Sequence, residues 1–358
     1  GYLILENTGG AIATPDVTLG QVDVGDGQFI LHAKGGGIRG AGPSNITAWN
    51  TYMTTSPGWM TSGGLPNSNR PGGSIGTSGT PITTAVDILT AKAYDGGVFI
   101  SEADGIRINS VIAQEDGNDP QIGQNGQVVI WPPGQSAYSG SSDVAIAAGG
   151  DSLVGEIKAP DRLTITVNGG KLLDYNQEDP NVIAQSLTLA ATGMIGQESD
   201  PLETTAEVIN ATTDNGGVYI AETDGATVQS VTAGGSGNNV VLTNGSRVLQ
   251  LGAITALGGT VTVKSSLESL ADANDPTSGP AVVNIVAERA EFTSTKGIGS
   301  SGNPIETTVS HLSATVTGRD APIYLAETDG LSSLTVSTKS GKVSIQFAGG
   351  SLDFNDLS

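Results

Sequence analysis

The chain has 358 residues, with 52 Gly, 16 Pro and no Cys, aromatics at 4 % and charged residues at 14 %. The missing cysteines exclude a disulfide framework and thiolate metal centres, and the abundance of Gly, Thr, Val, Ile and Ser points to strands and turns rather than surface helices. The 36 acidic against 15 basic residues give a formal charge of −21, which excludes nucleic acid and anionic lipid as partners and attracts metal cations.

The opening residues, "GYLILENTGG", have neither the basic start nor the cleavage pattern of a leader, and no run approaches the ~20 apolar residues of a membrane helix. No transmembrane segment is expected. Residues 43–73 then break the pattern of the rest and read as an inserted aromatic loop, holding Trp49, Tyr52, Met53, Trp59 and Met60. Long loops on rigid scaffolds often carry function, and exposed aromatics stack on sugars or fill a partner's pocket. The plainer reading is a loop folded back over the chain's own flank. "WPPGQSAY", with Trp131, is a second partner or glycan contact of the same kind.

Residues 75–105 align without a gap to 195–225, with 12 of 31 pairs identical, and a third copy begins at Ile298. Inside these long repeats a shorter beat runs through Val228, Val240, Val248 and Val261, where alternate clusters recur after 20 and 21 residues. Short strand-like runs separated by Gly, Asn or Asp match the rungs of a β-solenoid. The expected fold is all-β, a right-handed parallel β-helix forming a single segment over 1–358. At ~20 to 24 residues per coil the chain supplies about 15 to 18 coils. Tandem β-sandwich domains are the alternative, because the long repeats are near the size of an immunoglobulin-like domain.

Each long repeat ends in Glu-x-Asp-Gly: Glu102 and Asp104, Glu222 and Asp224, Glu327 and Asp329. Carboxylates two apart on a strand share a face, a start for a calcium site, whereas the plainer reading is a strand end followed by an Asp-Gly turn. Calcium is the one cofactor the pattern could take. His32 and His311 stand far apart with no nucleophile or ligand at usable spacing, so no enzyme is expected.

The units "IG-x-x-x-x-P-[IL]-x-T" and "GG-[VI]-[FY]-I-x-E-x-DG" resemble repeats of the filamentous-haemagglutinin-like adhesins and related giant bacterial surface exoproteins, over most of residues 72–358. The resemblance implies an extracellular protein of the bacterial cell surface or matrix, structural or adhesive in role. With the aromatic segment it leads us to expect a homo-oligomer or polymer, in a filament, sheath or surface lattice. A carbohydrate-binding adhesin that recognises surface glycans as an isolated rod is the alternative, and a polysaccharide lyase or hydrolase the second.

Overall fold

Alternation of inward apolar and outward polar residues builds the strands. In Val98–Glu102, Val144–Ala148, Val218–Glu222 and Val240–Asn244 every second side chain is buried, as a strand with one covered face requires. The computed structural model describes residues 1–7, 16–34, 36–42, 46–56, 73–94, 96–114, 121–122, 128–129, 143–176, 180–274 and 282–347. Among these there is no helix, and the strand pairs are parallel apart from the short pair Gln121–Ile122 and Val128–Val129. Among the described residues the parallel strands stack as a β-solenoid of about 12 turns. Antiparallel sandwiches are excluded, because each strand lies beside the strand one coil later. There are fewer coils than the sequence predicts because some are interrupted: Val98 pairs with Val144, 46 residues on, and Ile46 with Thr84, 38 residues on.

Two units emerge, Gly1–Asn168 with Ile183–Gln185, and Gly169–Val182 with Ser186–Ser358. In the first, Val22–Lys34 pairs with Ile46–Ser56, then come Ile82–Tyr94, Ile106–Gln114 and Ser152–Val167. Phe29, Leu31, Met53, Leu89 and Ile108 fill its interior. The inserted loop expected over 43–73 is therefore corrected: Ile46–Ser56 is a strand of the coil, laddered on both sides. Its Thr-rich, weakly alternating sequence hides that role. Residues 57–72 lie outside the described ones.

In the second unit Leu202–Thr213, Thr227–Ala233, Leu249–Ser265, Ile285–Ser294, His311–Val316 and Ser333–Thr338 stack in turn. Val218 pairs with Val240 and Val240 with Val261, offsets of 22 and 21 that carry the short beat. Val228, however, stacks on Leu251 rather than Val248. Arg247, at φ 56, turns the chain there and leaves Val248 at the surface. Burial of each Val, Leu or Ile contributes about 1.5–3 kcal/mol, so the repeated inward rows hold the coils together.

The Ile-Gly-x4-Pro opening shared by the long repeats is a short excursion from a coil. Ile195 pairs with Val218 and Leu202 with Ile220, so the six residues Gly196–Pro201 stand opposite Tyr219 alone. Gln197 and Asp200 close the excursion by exchanging backbone hydrogen bonds of 3.0 and 3.1 Å. Gly196 sits at φ +63, where a side chain would collide with the carbonyl of Tyr219; Gly76 and Gly299 are held the same way against Phe99 and Tyr324.

Candidate functional site

The repeated glutamates are clamps between coils. Glu222 ends the strand Val218–Glu222 with its side chain buried, and Thr204, one coil earlier, donates its hydroxyl to Oε2 at 2.6 Å. The amides of Thr223 and Asp224 donate to Oε1 at 3.1 and 3.2 Å. Glu102 repeats this with the Thr84 hydroxyl at 2.6 Å and the Ala103 amide at 3.0 Å, and Glu327 with the Thr307 hydroxyl at 2.5 Å and the Thr328 amide at 3.0 Å. Burial pushes all three glutamates up to about 7 against the pull of these donors, and the hydrogen bonds that the protonated glutamates donate to Asp104, Asp224 and Asp329 add to the rise. The structure thus brings each expected Glu–Asp pair together but points the glutamate inward, its oxygens held by the chain, with the aspartate beyond the strand end in the turn.

Of the aromatic candidates, Trp49 and Tyr52 face outward from Ile46–Ser56, 47 % and 44 % exposed. Met53 does not join them. Its side chain is fully buried in the core, because the inward phase of the strand shifts by one residue between Ala48 and Thr51. Trp59, Met60 and Trp131 lie outside the described residues. His32 Nδ1 lies 2.5 Å from the hydroxyl of Thr54, and His311 Nδ1 lies 2.7 Å from that of Ser333 with Glu288 3.8 Å from its other nitrogen. Each histidine meets a hydroxyl about one coil on, so the Ser333–His311–Glu288 line is one of two similar ladder contacts rather than an isolated triad.

A further pair of polar corners escapes the sequence reading. Asp174 accepts from the backbone amide of Asn176 at 2.8 Å and from the side chain of Asn181, whose own oxygen accepts from the Glu203 amide at 2.8 Å. About a hundred residues later Asp272 accepts from the amide of Asn274 at 2.8 Å and the side chain of Asn284 at 2.5 Å, and Asn284 accepts from the Glu306 amide at 2.8 Å. The excursion Gly196–Pro201 delivers a third carboxylate to the first corner. Burial, the charge of Asp174 and a hydrogen bond to it raise Asp200; burial and then the charges of Asp174 and Asp200 push Glu203 up to about 7. A signal was available: both corners read Leu-x-Asp-x-Asn, and both are followed by Pro-[Leu/Ile]-Glu-Thr-Thr. The two halves of the signal lie about 30 residues apart, and only coil register shows that they meet.

Among the described residues no three of His, Cys, Asp and Glu form a ready-made metal centre, and no helix is long and apolar enough to cross a membrane. No known protein family, curated protein or solved structure matches the chain.

Proposed function

We propose that this protein is a structural or adhesive component of a bacterial cell surface or extracellular matrix, and that its copies associate laterally into a filament, sheath or lattice. The observation that supports this reading is the outward pair Trp49 and Tyr52, held on a strand laddered on both sides. Aromatic side chains on so fixed a base lose little conformational freedom on binding and offer large contact areas. Parallel ladders supply the stiffness such a role requires, while the charge of −21 opposes unspecific clumping.

The same pair favours one second reading. Two exposed rings on one strand suit the apolar face of a sugar, which would make the protein a glycan-binding adhesin acting alone. Electron microscopy and sedimentation of the protein from its source, beside a Trp49→Ala/Tyr52→Ala variant, separate the two. Ordered assemblies that the variant cannot form support lateral association. Dispersed molecules whose glycan-array binding is lost in the variant transfer the function to the second reading. Assemblies indifferent to the substitutions would remove the aromatic pair from the explanation.

A further inference from the structure

We propose that the corners at Asp174 and Asp272 are calcium sites, one for each of the last two long repeats, closed by Glu203 and Glu306 respectively. The Asp272 side chain is 92 % buried, being 8 % exposed. One of its oxygens holds Asn274 and Asn284, while the other, Oδ2, is buried with no hydrogen-bond partner. Oε2 of Glu203 is in the same condition. Neither residue forms an ion pair with a described residue. A buried carboxyl oxygen without a donor is costly, and a bound cation relieves that cost at both positions.

The first long repeat supplies an internal comparison. The bridges Ile38 to Ile75, Leu172 to Ile195 and Leu270 to Ile298 put Gly40 in the place of Asp174 and Asp272. Thr83 stands in the place of Glu203 and Glu306. Both carboxylates are missing together there, whereas an asparagine stands at the third place in all three sequences, as Asn45, Asn181 and Asn284. Asparagine is therefore present whether or not the two carboxylates are. The joint presence or absence of Asp and Glu is what a shared ligand requires, because either carboxylate alone would carry a cost without the cation.

The donor set is all hard oxygen, which suits calcium and excludes a preference for zinc. Two or three carboxylates leave coordination places for backbone and water oxygens; calcium's larger, flexible shell adapts to oxygens whose positions the coils have set, whereas magnesium demands a near-ideal octahedron at shorter distances. The first corner has Asp200 where the second has Asn303, and so binds more tightly.

Calorimetric titration of the EDTA-stripped protein with calcium chloride tests the proposal, with thermal melts alongside. The expected result is two saturable sites, with dissociation constants on the order of 10⁻⁴ to 10⁻³ M, and a melting midpoint that climbs with calcium and scarcely responds to magnesium. Glu203→Gln and Glu306→Gln each remove one site, Asp200→Asn weakens the first about tenfold, and Glu288→Gln on the outer face leaves both. No saturable binding by about 10 mM calcium overturns the proposal, as does an unchanged stoichiometry in the double glutamine variant. Should that variant not fold, the wild-type titration decides. Binding is read on dispersed molecules and stands apart from lateral association.

Discussion

Thr204 shows how much one hydroxyl carries in this molecule. It is fully buried and donates to Glu222, a carboxyl that burial already penalises. Thr204→Val keeps the shape and removes the donor, leaving an acidic oxygen short of a partner. The expected cost is about 1–3 kcal/mol, read as a lower urea midpoint at neutral pH. An unchanged midpoint would mean that the backbone amides alone hold the clamp. Thr84 and Thr307 occupy the same place against Glu102 and Glu327, so each should repeat the result in its own repeat.

The strand Ile46–Ser56 makes a sharper test, because the sequence presents it as a loop and the structure as a coil. Met53→Ala should cost about 2–5 kcal/mol, as a fully buried side chain does, while Trp49→Ala should stay within about 0.5 kcal/mol in the same chemical melts. Equal small effects would return the segment to the surface. The sequence reveals the coils where Val, Ile and Leu alternate with polar residues, as in Val218–Glu222 and Val240–Asn244. It fails at Ile46–Ser56, where threonines fill inward places and the phase slips. It fails again at Glu-x-Asp, because the strand stops at the glutamate and the rule that alternate residues share a face stops with it. The corners at Asp174 and Asp272 are hidden for another reason: Asp174 and Glu203 are neighbours only once coils are in register, a property no local pattern states.

Across the whole chain the three clamps link folding to pH. The glutamates titrate from 4.5 when free to about 7 in the fold, so between those values the folded state holds more protons than the unfolded one. Their contribution is complete below pH 4.5, declines through the interval and is lost above about 7. Stability should therefore fall as pH rises from about 5 to about 8. Repulsion within a chain of charge −21 acts in the same direction, but it is screened by salt, whereas buried carboxyls are not. Urea melts in about 1 M sodium chloride with EDTA, where the Debye length is ~3 Å, suppress the net-charge contribution and leave that of the buried carboxyls, the three clamps and Glu203. The wild type should still lose stability over that range, and a Glu102→Gln/Glu222→Gln/Glu327→Gln variant, which cannot ionise there, should give a flatter profile. Parallel profiles for the two proteins would assign the pH dependence to net charge and leave the clamps as ordinary ionised corners.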